Sequence, residues 1–383
     1  MLRPQTPEEL AFRAEVAEWM RVNIPEKLRY ATFRPSPHEA MSWYKMLAAR
    51  GWVAPHWPVA SGGMGATPTQ QVILMEEMAR AGAPDFPTQG LNHIGPILIK
   101  CGTPLQQKRF LSKILSGDEI WCQGYSEPGA GSDLASLCTR ATVDGDSLVI
   151  SGHKIWTTWG HHADWMFALV RTSDGTRKQQ GITFVLIDLK TAGISRRPIR
   201  TIAGDDEFCE VFLDSVRVPM ENIVGEIDQG WKVATALLSE ERLRIGAPAL
   251  ALKALERLRH FAAALPRSSR IEHLLAEAEI ETETLIASFL NVAEREAAGN
   301  RPESSYLKVL ATETVQKILD SLQEVAGESA PIRDAVLTSC GYLDYSEMFL
   351  QSRRLTIYGG TNEIQRTIIA TKVLGLPRGR RSA

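Results

Sequence analysis

The order of local patterns constrains this chain more than any single motif: it reads helical, then strand, then helical again. In the middle, "TRATVDGDSLVISGHKIWTT" (139–158) and "MFALVRTSDGTRKQQGITFVLIDL" (166–189) each set Asp-Gly between runs rich in Val, Ile, Thr and Phe. That is a hairpin signal, because Asp-Gly accepts the left-handed backbone of a tight turn. "FCEVFLDSVRVP" (208–219) alternates in the same way and ends on proline. Strands that follow one another through turns predict an antiparallel sheet. The absence of a βαβ rhythm argues against a parallel nucleotide-binding sheet.

The flanks have a different grammar. "TPEELAFRAEVAEWMRVNI" (6–24), "TPTQQVILMEEMARAG" (67–82) and "TPLQQKRFLSKILSGD" (103–118) each open on Thr-Pro and carry apolar residues at helical spacing. Beyond residue 228, the stretches 231–265, 270–296 and 305–327 carry apolar stripes over long segments with short breaks. These suggest an antiparallel bundle. The expectation is an α+β multi-domain chain: a helical N-terminal domain over 1–119, a barrel-like β domain over 120–228 and a helical bundle over 229–383.

Totals exclude several classes. Of 383 residues, 44% are hydrophobic and 23% charged, with a net charge of −2, so there is no basic footprint for nucleic acid. No stretch approaches the roughly 18 apolar residues of a membrane span. The N-terminus breaks into charge too soon for a signal peptide, and five scattered cysteines form no C-x-x-C pair. A cytoplasmic protein with reduced thiols is expected.

Four stretches could carry chemistry. "YSEPGAGSD" (125–133) is a Pro-Gly turn that offers hydroxyls and N–H groups; on spacing alone it is a plain turn or a ligand loop. "KIWTTWGHHADW" (154–165) sets Trp156 beside Thr157 and Thr158, which suits either core packing or a flat conjugated ligand. Its His161 and His162 would point to opposite faces of a strand with no third ligand spaced to join them, which argues against a metal. In "LLSEERLR" (237–244), Glu241 falls inside the stripe Ala234, Leu237, Leu238, Ile245 and Leu252, with Glu240 toward its edge. A carboxylate among apolar side chains loses hydration of its charged form and moves toward the basicity a general base needs. The alternative is an ordinary ion pair with a nearby arginine. Finally, "LTIYGGTNEIQR" (355–366) puts Gly359 and Gly360 before Thr361 at a helix start. It is a cap or a ligand corner, and its loop offers no acid of its own.

Taken in this order, the stretches resemble the acyl-CoA dehydrogenase family over essentially the whole chain. "YSEPGAGSD" resembles its T-E-P-G-A-G-S-D signature and "HKIWTTW" its K-x-W-I-T-N strand. "VRVPMENIVGEIDQGW" resembles the exit from its β domain, and "YGGTNEIQR" its terminal Y-E-G-T-x-x-I-Q-R. The resemblance implies FAD held between β domain and bundle. A glutamate would remove the α-proton of an acyl-CoA, the β-hydrogen would leave as hydride, and electrons would pass to an electron-transfer flavoprotein. Carried over by position, Gln123, Tyr125, Ser126, Gly131, Ser132, Trp156, Thr157 and Thr158 would contact the flavin. Gly360, Thr361, Asn362 and Glu363 would meet its phosphate and ribose region, and Ser132, Ser239 and Arg242 would touch the acyl-CoA.

Two departures matter. The family's commonest catalytic glutamate falls at Gly359, whereas a minority of members, some acting on steroid side chains, place it on the bundle's first helix just before an arginine. Here that is Glu241, which the stripe also selects. A base at that position and a glycine at 359 suit a branched or bulky acyl group. In addition, segments by which family subunits complete a neighbour's FAD site are altered: "LPRSSRIEHLLAEAEIE" (265–281) lacks the Phe-Gly of R-x-Q-F-G. "LQEVAGES" (322–329) has Ala326 for the first glycine of Q-x-x-G-G. The expected assembly is an α2β2 heterotetramer with a homologous chain. Two other readings stand beside the enzyme: a non-catalytic subunit that completes a partner's site, and a relative turned to flavin oxidase or monooxygenase chemistry.

Overall fold

The computed structural model describes residues 4–30, 35–300, 304–331, 336–338, 341–343 and 345–377. The helices of the first third start for one repeated reason. Thr6, Ser36, Thr67 and Thr103 each accept a hydrogen bond from the backbone N–H three residues on. The side chains of Glu9, Glu39, Gln70 and Gln106 bond back to the caps, and a proline follows each cap. These reciprocal bonds satisfy N–H groups that a helix start leaves open. They begin α1 (Pro7–Asn23), α2 (Pro37–Arg50) and α3 (Pro68–Arg80); after α4 (Gly95–Cys101), the last of them begins α5 (Pro104–Ser116).

The strands are β1 (Trp121–Gly124), β2 (Arg140–Asp144), β3 (Ser147–Thr158), β4 (Trp165–Arg171), β5 (Ile182–Asp188), β6 (Ile194–Ile199) and β7 (Phe208–Pro219). They run in the order β1-β4-β2-β3-β7-β6, with β5 also on β4. Four pairings are antiparallel, but β4 runs parallel to β1 and, through the Arg140–Arg171 pair, to β2. The intervening β2–β3 hairpin lets the chain return in the same direction, which a short turn could not. The first Asp-Gly signal makes the tight β2–β3 turn, with Gly145 at φ 63°. The second lies inside the longer 172–181 loop between β4 and β5.

The helical tail consists of α6 (Gly230–Ile245), α7 (Ala249–Ala263), α8 (Ser269–Ala297), α9 (Ser305–Ala326), a hairpin of β8 (Val336–Thr338) and β9 (Gly341–Leu343), α10 (Tyr345–Ser352) and α11 (Asn362–Ile368). The segment 231–265 is two helices, α6 and α7, broken at Gly246–Pro248 where proline withholds its N–H. No helix among the described residues is long and apolar enough to cross a membrane.

The chain divides into two compact units. One comprises 1–34, 66–84 and 242–383. In it α9 packs on α7, α8, α10 and α11, and α3 packs on α1, α7 and α8. Its core joins Leu255, Leu258, Phe261, Leu285, Val315, Ile318 and Leu322, all nearly or fully buried. Arg13 of α1 bridges Glu76 and Glu77 of α3. The other unit comprises 35–65 and 85–241: α2, α4, α5, the seven-stranded sheet and α6 as far as Glu241. Its core is apolar strand residues such as Ile150, Met166, Val170, Val185, Ile187 and Val211. By compactness, then, the helices of the first third are shared between the two units.

Candidate active site

In the sheet-containing unit, "YSEPGAGSD" is shaped by a buried ion pair. Glu127 lies at 7% exposure and Lys154 at 0%, 2.7 Å apart, with Lys154 Nζ also donating to the Leu169 carbonyl at 2.7 Å. Glu127 accepts the backbone N–H groups of Cys138 at 2.6 Å and Thr139 at 3.0 Å. Desolvation pushes the Glu127 carboxyl up, but Lys154 and these donors hold it below the ordinary carboxylate range. Burial pulls the Lys154 ammonium down, opposed by Glu127. The motif's acid and the strand's lysine therefore form the frame of the loop, a role that the sequence reading did not assign.

On that frame, Gly131 and Ser132 are exposed, and a Cβ at Gly129 or Gly131 would meet nothing within 4 Å. Gln123 and Ser126 are partly buried, and the Ser126 carbonyl accepts the Ile155 N–H at 3.0 Å. The β3–β7 register slips between Lys154 and Thr157, and Trp156 sits there at φ 60°. Such a bulge re-aims one side chain. Trp156 is 57% exposed and edge-on to Phe208 at 6.0 Å. Thr158 is partly buried, whereas Thr157 is wholly enclosed, its Oγ1 without a hydrogen-bond partner among the described residues. Trp156 and Thr158 thus supply the accessible surface of the three. His161 and His162 lie in the turn after β3 with ring centroids 4.1 Å apart, so they do not occupy opposite faces of a strand as expected.

Glu241 is 5% exposed. Its Oε1 lies 3.6 Å from His93 Nε2, and its Oε2 is buried with no hydrogen-bond partner among the described residues. His93 belongs to a chain of ring contacts: it stacks on Phe167 at 6.3 Å, Phe167 stacks on Phe184 at 6.1 Å, and Tyr125 meets Phe167 edge-on at 5.9 Å. Burial pushes the Tyr125 phenol well above its ordinary range, and the negative charge of Glu241 adds to that push. The Tyr125 hydroxyl is buried without a partner among the described residues. Ser239, on the same helix, is exposed, and Glu240 lies 3.6 Å from Lys100. A carboxylate with one oxygen unpaired in low-dielectric surroundings can take a proton from a ligand placed against it.

His93 was not read from the sequence. It sits on a π-helical turn, Gly90–Ile94, in which the Gly95 N–H bonds to the Gly90 carbonyl. Pro96 has no N–H to give the Leu91 carbonyl, and the Trp57 indole supplies that bond at 2.8 Å. A Cβ at Gly95 would lie 1.9 Å from the Trp57 ring, so glycine is required. The usable signal was Gly-Pro directly after "LNHI".

The bundle-containing unit holds the remaining candidates. Gly359 and Gly360 take φ 63° and 78°, the region that favours glycine, and Thr361 Oγ1 accepts the Ile364 N–H at 3.2 Å. Asn362 is 2% exposed and occupied within the protein: Lys308 Nζ donates to its Oδ1 at 2.8 Å, and its amide donates to Glu313 at 3.2 Å. Its side chain anchors the loop, whereas Glu363 is exposed and Gly360 and Thr361 partly so. Arg242 is partly buried, with its Nε lacking a partner among the described residues.

Residues 6–118, 122–216 and 228–374 match, in that order, the profiles of the acyl-CoA dehydrogenase N-terminal, middle and C-terminal domains. The chain is 37% identical to acyl-CoA dehydrogenase IpdE1 of Mycobacterium tuberculosis, over 96% of this chain and 97% of that one. It is 34% identical to acyl-CoA dehydrogenase FadE26 of the same organism, over 98% and 99%. Among solved structures, one described as the Tcur3481-Tcur3483 steroid ACAD has a TM-score of 0.87 at 31% identity, covering 98% of this chain and 99% of that one. The ChsE4-ChsE5 complex from Mycobacterium tuberculosis has a TM-score of 0.83 at 32% identity, covering 99% and 100%. With all three domains matched in order, the chain belongs to the acyl-CoA dehydrogenase family, whose members are FAD-dependent oxidoreductases.

Proposed function

We propose that this chain oxidises a bulky acyl-CoA thioester, of steroid or terpenoid side-chain type, to its trans-2-enoyl-CoA, with Glu241 as the base. The carrying observation is the Glu241 carboxylate, 5% exposed with Oε2 unpartnered among the described residues, in a chain whose 355–361 loop has no acid. FAD fits the groups present: an exposed indole at a strand bulge, partly exposed hydroxyls at Ser126 and Thr158, and an open Gly131–Ser132 backbone. When bound, FAD would accept the β-hydrogen with its electron pair. Glu241 Oε2 would take the α-proton, and the electron pair of the broken α C–H bond would become the new double bond. The burial of Glu241, 5% exposed, would keep water from the carboxylate. Ser132, Ser239 and Arg242 would bind the thioester, and Gly360, Thr361 and Glu363 the cofactor's polar end.

The steroid description of one structural neighbour and the paired chains named in two of them support both a bulky substrate and a partner subunit. The altered segments 265–281 and 322–329 support the same assembly, α2β2 with a homologous chain. An electron-transfer flavoprotein would take the electrons. The test is to express the chain with and without a candidate partner, measure FAD per chain, and titrate flavin absorbance with straight, branched and steroid-side-chain acyl-CoA thioesters. Bleaching by the bulky class alone, with full FAD only in the complex, is expected. Bleaching mainly by straight chains, or a fully loaded active homotetramer, would refute the corresponding half.

A further inference from the structure

Glu241 needs a fixed orientation to act, and its own helix does not provide one: neither carboxylate oxygen has a hydrogen bond among the described residues. We propose that His93 is the positioning residue for Glu241, its Nε2 holding Oε1 so that Oε2 is the oxygen that takes the proton. This rests on the assignment of Glu241 as the base. The 3.6 Å separation is slightly longer than a hydrogen bond, and contacts of this kind commonly tighten only when substrate is bound.

The mount of His93 is rigid in a way that a surface histidine's would not be. A π-turn displaces one residue from the helical ladder and recurs at functional sites. Here it is locked by the Trp57–Leu91 bond and by the glycine that lets the Trp57 ring approach. The imidazole is stacked on Phe167, and its side chain is 12% exposed. Its Nδ1 is buried without a partner among the described residues, so the ring's contact with a charged group is through Nε2. Other groups near the carboxylate do not replace it. Tyr125, from the loop after β1, has its hydroxyl unpaired, and Lys100 of α4 faces Glu240, with Arg242 next along the chain.

The experiment compares wild type, His93→Leu and His93→Gln in the FAD-loaded complex. Leucine removes the donor, while glutamine places an N–H at similar reach. Flavin bleaching is followed in single turnover across pH, with equilibrium binding of the enoyl-CoA product and FAD content as controls. His93→Leu should slow bleaching roughly 10- to 100-fold, the scale of a misplaced catalytic group, while product affinity changes less than about threefold. The acid limb of its profile should move to higher pH, because a carboxylate that has lost a donor is protonated more easily. His93→Gln should recover most of the rate. Wild-type rate and pH profile in His93→Leu, or no recovery in His93→Gln, would overturn the assignment. Glu241→Gln in the same assay separates the two claims: if it still bleaches, it is the base that was misassigned.

Discussion

Replacing Glu127 by glutamine removes one charge and almost no volume, and the structure fixes what that should cost. Lys154, fully buried, would keep the Leu169 carbonyl but lose its only carboxylate partner in the described structure. The glutamine amide would turn N–H groups toward two donors, the Cys138 and Thr139 N–H groups or the lysine itself. Breaking a buried pair in this way typically costs about 3–5 kcal/mol. The upper end has an independent bound, because the lysine can escape by releasing its proton. Starting from its ordinary value of 10.5, that release costs about 4.8 kcal/mol at pH 7, at 1.36 kcal/mol per unit.

The sign of the pH dependence follows. A variant that folds with neutral Lys154 binds fewer protons folded than unfolded, so its stability rises with pH. Its deficit against wild type should then shrink by about 1.4 kcal/mol per unit between pH 7 and 9. Glu127 in wild type has the same sign in a lower window: held below its ordinary value of 4.5, it contributes stability at neutral pH that is lost as the solution is acidified through its folded value. Urea unfolding of Glu127→Gln and wild type at pH 7, 8 and 9 measures the deficit and its slope, and wild type followed below pH 4.5 measures the Glu127 contribution. A deficit below about 1 kcal/mol, or one that does not change with pH, would refute the claim that this pair frames the loop.

Other outcomes follow from the same geometry. Gly360→Ala should lose about 1–2 kcal/mol and bind FAD more weakly. The residue sits at φ 78°, and its new Cβ would lie 2.7 Å from Gln365 Nε2, which bonds the Gly359 carbonyl; unfolding and flavin titration check this. Trp156→Ala should change stability by no more than about 0.5 kcal/mol, as an exposed side chain does, yet alter the absorbance and fluorescence of bound flavin. A large loss of stability with an unchanged spectrum would make Trp156 a packing residue.

The three-part architecture was legible because its signals are local: Thr-Pro with Glu or Gln two residues beyond the proline starts the early helices, and Asp-Gly closes the β2–β3 hairpin. The apolar stripe and the family pattern both select Glu241, and its burial agrees with the stripe, although Leu252 lies beyond the helix break on α7. What could not be read depends on contacts distant in sequence or on broken periodicity. Nothing near Glu127 announces Lys154, twenty-seven positions on. Period-two reading cannot foresee that a bulge would leave Trp156 exposed and Thr157 enclosed. Period-3.6 reading likewise cannot place His93, because the π-turn before Pro96 shifts its direction. Nor does local reading show that Lys308, from another helix, bonds the Asn362 side chain.

The central claim, that Glu241 takes the α-proton, is tested most directly by single-turnover reduction of the FAD-loaded complex with the acyl-CoA that bleaches wild type best. Glu241→Gln should keep its FAD and bind the enoyl-CoA product normally, yet reduce flavin at least about a thousandfold more slowly, within the range a general base contributes. A rate within about tenfold of wild type would contradict the account.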